Sequence, residues 1–339
     1  MTLPPRAVIF GCAGPELTDQ ERRFYAGADP LGFILFQRNC IEPAQVRRLV
    51  SDLRALVGRA DAPVLIDQEG GRVMRLKPPH WRAAPPQGLF GELAGRDPAS
   101  AREAAYLNAR LLAVELADLG ITVDCAPVLD LRHPGAHEII GDRALGTEPG
   151  QVAELGFSVA QGLTEGGVLP VIKHIPGHGR ATVDSHHELP FVDVARDRLE
   201  QTDFEPFRLL AAQPWAMTAH VVYCAIDHER PASLSPRVIE DVIRGSIGFG
   251  GFLVSDDVNM KALKGDVGEL SLTAVQAGCD AVLHCNGDFA EMERVARATP
   301  RLSDVALERL SRGTAMLPPR PEELNVADAL GRIETLLAA

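Results

Sequence analysis

Eight short apolar runs, each trailed by a polar helical pattern, and no glycine-rich phosphate turn after the first run, predict a single (β/α)8 TIM-type barrel. The runs span residues 7–11, 33–36, 64–67, 122–126, 169–173, 216–220, 252–256 and 281–285. They are nearly all apolar instead of alternating, as parallel strands covered on both faces must be. Helical stretches fall between them at 43–57, 98–119, 148–165, 196–212 and 236–244. Pro43 and Pro236 stand where a first helical turn begins, with Ser235 as a cap. A doubly wound open sheet is the alternative. Against it, Gly11-Cys12-Ala13-Gly14-Pro15 lacks the G-x-G-x-x-G spacing and reads as a strand-to-helix turn.

The 339 residues fit one barrel unit over 1–317, with a connector and terminal helix over 318–339 expected to pack on it. Pro318-Pro319-Arg320-Pro321 marks the connector, and 326–337 the helix. Hydrophobic residues at 46% and charged residues at 24% exclude a disordered or fibrous chain. With 46 acidic against 34 basic side chains, the net charge of −12 argues against nucleic acid or an anionic membrane as partner. The uncharged stretch 209–226 carries Gln213, Pro214, Thr218 and His220, so it reads as a helix end and a buried strand, not a membrane span. Met1-Thr2-Leu3-Pro4-Pro5-Arg6 has no cationic start or cleavage site, and the six cysteines show no Cys-x-x-Cys spacing. These features lead to the expectation of a cytoplasmic protein; a monomer or weak homodimer is expected, although no sequence feature decides the oligomeric state.

In such a barrel, chemistry collects at the carboxyl ends of the strands. The third run ends in Asp67-Gln68-Glu69-Gly70-Gly71-Arg72 and the fifth in Lys173-His174. The sixth ends in His220, the seventh in Ser255-Asp256-Asp257 and the eighth in His284-Cys285-Asn286. Charges inside the strands would be buried at heavy desolvation cost, whereas ends opening on one pocket avoid it. The long connections 69–95 and 132–146 have the length typical of functional loops. Downstream of strand five, Gly177 and Gly179 allow a tight loop, and Asp184 and His186 are spaced to interact across one residue. A carboxylate beside an imidazole fixes its tautomer and raises its basicity. A polar surface loop and a zinc site are the other readings of this segment. Zinc is disfavoured because there is no His-Glu-x-x-His helix, and no metal is expected.

Lys173-His174-Ile175-Pro176-Gly177-His178-Gly179, with Asp184-Ser185-His186 and Leu189-Pro190, resembles the signature of family 3 glycoside hydrolases, specifically the bacterial β-N-acetylglucosaminidases. Collinear pieces agree: Phe36-Gln37-Arg38-Asn39, Asp67-Gln68-Glu69-Gly70-Gly71-Arg72 with Arg75, Ala126-Pro127-Val128-Leu129-Asp130, Gly141-Asp142-Arg143, and Ser255-Asp256-Asp257-Val258-Asn259-Met260. The likeness spans residues 7 to 290. It departs at Ile175, where an aromatic is usual, and at Ala144-Leu145, where a small polar residue and an aromatic are usual.

The resemblance implies a retaining exo-β-N-acetylglucosaminidase. Asp256 would be the nucleophile, with Asp257 beside it as a loop anchor. His186, assisted by Asp184, would be acid and base, with His187 the nearest competitor. Asp67, Arg75, Arg143, Lys173 and His174 would hold the N-acetylglucosamine. A mobile imidazole suits the task, because its neutral form adds no second anion beside Asp256. Tyr223, Trp81 and Trp215 are left unassigned as stacking partners. The implied substrate is a cell-wall fragment ending in β-linked N-acetylglucosamine on 1,6-anhydro-N-acetylmuramic acid, processed in peptidoglycan recycling without a cofactor. A β-glucosidase-like family 3 enzyme, a metal-dependent barrel hydrolase and a non-catalytic sugar-binding protein are the competing readings.

Overall fold

The computed structural model describes residues 3–185 and 187–338. Its strands are β1 (Arg6–Gly11), β2 (Pro30–Leu35), β3 (Val64–Ile66), β4 (Val123–Asp124), β5 (Leu169–Ile175), β6 (Trp215–Thr218), β7 (Phe252–Asp257) and β8 (Ala281–His284). They pair in chain order, every pair parallel, and β8 closes on β1. This is the expected closed (β/α)8 barrel. A separate parallel ladder joins Phe191–Val192 to Val222–Tyr223 beside the rim.

Alternation along each strand sorts side chains into two apolar layers. Ala7 and Ile9 of β1 meet Leu65, Val171, Trp215 and Val254 in the barrel interior. Val8 and Phe10 face outward onto helical residues such as Leu49, Leu53 and Val295. Each fully buried aliphatic side chain contributes about 1.5–3 kcal/mol. Together these layers make a stiff frame for the strand ends.

The helix Pro43–Val57 forms as expected, with Pro43 in its first turn. Ser235 also caps, its hydroxyl accepting from the Val238 amide at 3.2 Å, and the helix that follows, Val238–Ser246, is π-wound. The stretch 196–212 is not one helix but two, Arg196–Gln201 and Glu205–Leu209. Pro206 lacks the amide a continuous helix needs, and the break turns Asp203 inward to His133 at 2.8 Å and Arg180 at 2.6 Å. The long connection after β3 contains a helix, Gln87–Ala94, that buries Phe90 and Leu93. The terminal helix Val326–Ala338 packs Ala329 and Ile333 on Leu111 of helix Pro98–Asp118. Among the described residues, no helix is long and apolar enough to cross a membrane.

Candidate active site

At the carboxyl ends of the strands lies a cavity of about 320 Å³, at the small end of ligand-site volumes. Asp67, Arg75, Arg143, Lys173, His174 and Asp256 all line it. So do Glu69, His178, Ser185 and Asp257, while Met217 and Leu283 supply apolar surface.

Two ladder irregularities explain how neighbouring residues reach one cavity. Simple alternation would turn every second side chain away. In the β5–β6 ladder the register shifts between Lys173 and Ile175, and both Lys173 and His174 line the cavity. In the β7–β8 ladder it shifts between Ala281 and Leu283, beside Asp256 and Asp257, which both line it too. Where alternation holds, the expectation fails. His284 was expected on the pocket, but it points the other way from Leu283 and Cys285, packing edge-on to Phe10 and meeting Glu291 at 3.2 Å. His220 is also fully buried and outside the cavity, bonded to Ser233 Oγ at 2.6 Å and the Asp257 carbonyl at 3.0 Å.

The wall from β3 and β5 is an interleaved charge network. Lys173 Nζ donates to Asp67 at 2.8 Å and lies 2.6 Å from Glu69. Arg75 donates to Asp67 at 3.0 Å, and Arg143 forks onto both oxygens of Glu69, each at 2.8 Å. Burial pushes both carboxyls up, but the cations outweigh it. Asp67 is held well below the usual carboxylate range by Lys173 and Arg75, and Glu69 is brought to about 2 by Arg143 and Lys173.

Asp130 organises the next strip. Its carboxylate lies 2.6 Å from His174 Nδ1 and accepts the His178 amide at 2.6 Å. Burial raises its pKa, but His174 and then His178 bring it down to about 2. The His178 ring touches Ser185 Oγ through Nε2 at 3.0 Å, and burial lowers its pKa to about 4, so it is neutral at pH 7. Gly177, at φ +139°, and Gly179, whose added Cβ would lie 2.0 Å from the Leu131 carbonyl, let the chain turn tightly here.

That turn leads to Asp184 and Ser185. His186, expected as acid and base, lies outside the described residues. His187 is largely exposed, with Nε2 3.9 Å from Asp184, and does not line the cavity. On the opposite wall, Asp256 accepts the Asp257 amide at 2.8 Å. Asp257 accepts the amides of Asn259 and Cys285, each at 3.1 Å. Burial and then adjacent Asp256 push its carboxyl up to about 6 despite those amides.

Trp215 and Tyr223 are fully buried, Trp215 against Phe252 at 4.5 Å and Tyr223 donating to the Gly177 carbonyl at 2.7 Å. Ile175, Ala144 and Leu145, the departures from the usual pattern, lie buried and do not line the cavity. Among the described residues, no three His, Cys, Asp or Glu side chains are grouped to hold a metal ion. Glu69, Asp130 and His178 escaped the residue-by-residue reading. For Glu69 a signal existed: it follows Asp67 by two positions at a strand end, the spacing that returns a side chain to the same face.

The model of the glycosyl hydrolase family 3 N terminal domain matches residues 26–312. A beta-hexosaminidase of Bordetella avium (strain 197N) is 38% identical over 315 residues, covering 91% of this chain and 85% of that protein. One from Alkalilimnicola ehrlichii is 40% identical over 310 residues, covering 89% and 88%. NagZ from Neisseria gonorrhoeae, in its crystal structure with N-trifluoroacetyl-D-glucosamine, superposes with a TM-score of 0.89 at 30% identity across 99% of both chains.

Proposed function

The chain belongs to glycosyl hydrolase family 3 and is a β-N-acetylhexosaminidase; from that premise we propose a retaining exo-enzyme that removes terminal β-linked N-acetylglucosamine through a covalent glycosyl-enzyme. The observation that carries this reading is the cavity itself. It is large enough for about one sugar residue, with an ion-paired carboxylate network on one wall and Asp256 on the other.

Asp256 is the nucleophile: its carboxylate attacks C1 as the glycosidic C–O bond breaks. His186 protonates the departing oxygen and then takes a proton from the water that releases the sugar, with Asp184 steadying its charge. Two displacements at C1 give net retention. Asp67, Arg75, Arg143, Lys173 and His174 hold the glycone, carboxylate and cations alternating to meet hydroxyls as acceptor and donors. The natural substrate is an anhydro-muropeptide bearing N-acetylglucosamine, and the setting is cytoplasmic peptidoglycan recycling, a reading that rests on the family likeness and on the exo-sized cavity.

The direct test incubates the pure protein with aryl β-N-acetylglucosaminide and aryl β-glucoside in parallel, then traps it with a fluorinated glycosyl inhibitor. Turnover of the former and a tag on Asp256 are expected. Preference for the glucoside, a tag elsewhere, or an inverted first product overturns the reading.

A further inference from the structure

Glu69 is ion-paired to two cations in the cavity, yet the reaction as derived above gives it no step. Its side chain is 1% exposed, against 2% for Lys173 and 9% for Arg143. One of its oxygens, Oε1, bridges the two cations, 2.8 Å from Arg143 Nη2 and 2.6 Å from Lys173 Nζ. Its other oxygen takes the second tine of the Arg143 fork at 2.8 Å. An arginine fork and a lysine point charge converging on one oxygen form the donor set that elsewhere captures free carboxylates, sulfates and phosphates.

We propose that Glu69 is a resident anion in a built oxyanion site, and that by filling it Glu69 is the positioning residue that aims Lys173 and Arg143 at the sugar. This rests on the reading of the cavity as the glycone site. Lys173 comes from β5 and Arg143 from the connection 132–146, and each has Glu69 as a direct ionic partner. Without it, Asp67 is the carboxylate left in contact with Lys173. The two cations then repel one another, and the Arg143 fork loses both of its acceptors on Glu69.

The inference is tested by chemical rescue. Glu69→Ala opens the space of a carboxylate. Its kcat/KM on aryl β-N-acetylglucosaminide should fall about 100-fold, mainly through KM. Sodium formate should restore about tenfold of that loss with saturation, while sodium chloride at equal ionic strength should not. Formate should leave the native enzyme and Glu69→Gln unchanged, because in both the site is already filled. The released sugar should be the ordinary hydrolysis product and not a formyl ester, which separates an occupant of the Glu69 site from a surrogate nucleophile.

Folded Glu69→Ala with native kinetics, or with a loss that formate cannot relieve, overturns the inference. If Glu69→Ala does not fold, Glu69→Gln decides: a KM raised about tenfold supports it, and unchanged KM overturns it. The outcomes also separate the two readings. A native enzyme that does not turn over the aryl substrate sinks the proposed function, whereas native turnover with a formate-blind alanine variant sinks only the role of Glu69.

Discussion

Four carboxyls in and around the cavity, Glu69 and Asp124 buried and Asp67 and Asp257 half-buried, share one dominant influence and end in opposite states. Burial is the largest effect on Asp67, Glu69, Asp124 and Asp257, and in every case it pushes the group towards its neutral form. Asp67 and Glu69 nevertheless stay ionised, because Lys173, Arg75 and Arg143 touch them. Asp257 has backbone amides and a like-charged neighbour, and rises to about 6. Asp124 accepts the Gln68 amide at 2.9 Å on one oxygen, and rises to about 7. Contact with a cation, not depth, decides whether a buried carboxyl keeps its charge.

The most disruptive variant for this contrast is Asp256→Ala, on the wall of the cavity away from the network. Its kcat on aryl β-N-acetylglucosaminide should drop by roughly a thousandfold or more, while N-acetylglucosamine binding stays measurable by calorimetry. Retained turnover would leave the nucleophile on another residue.

Next in size is Lys173→Met, which turns the paired wall into one more like that around Asp257. Removing the shared cation leaves buried anions facing each other and should cost about 3–5 kcal/mol at pH 7 in urea unfolding. The acid limb of kcat/KM should also move towards neutrality as Asp67 and Glu69 become easier to protonate. A stability and pH profile matching the native protein would mean that Arg75 and Arg143 suffice.

A smaller effect belongs to the loop. Ser185→Ala removes the hydroxyl that meets His178 at 3.0 Å, one position in sequence before the proposed acid/base residue. Turnover of substrates with poor leaving groups should fall about tenfold, with activated aryl glycosides nearly unaffected and Ser185→Thr close to native. An equal loss on both substrate types would show that the contact holds the cavity in general and not the proton-transfer step.

A change confined to pH dependence is Asp124→Asn. The folded pKa of about 7 lies above the ordinary 3.8, so between those values the unfolded chain ionises while the folded protein keeps its proton. This group therefore costs the native protein nothing below about pH 4, and stability falls as pH rises towards 7. The variant should match the native protein near pH 4 and exceed it at pH 8, as read by urea unfolding at each pH. A native advantage at pH 8 would mean that Asp124 is ionised and paired.

Much of this molecule is legible in its sequence. Eight apolar runs announce eight buried parallel strands because such strands have no wet face, and all eight formed. The cavity residues Asp67, Arg75, Arg143, Lys173, His174 and Asp256 were legible through the collinear motifs, and all six share one cavity. Reading strand ends as clusters misplaces His284, whose alternation with Leu283 and Cys285 turns it away from the cavity. The roles of Glu69, Asp130 and His178 were hidden because their partners sit on other strands and loops.

The chain alone therefore determined the order of the strands, the charged character of their ends and the family to which they belong. These are local or collinear properties, set by burial pattern and residue type. Only the folded barrel decided which charges meet. Asp67 and Lys173, 106 residues apart, touch at 2.8 Å, and shifted ladder registers accompany the adjacent cavity residues Lys173-His174 and Asp256-Asp257. Coulomb energy depends on separation in space and on the surrounding dielectric, and neither can be counted along a sequence.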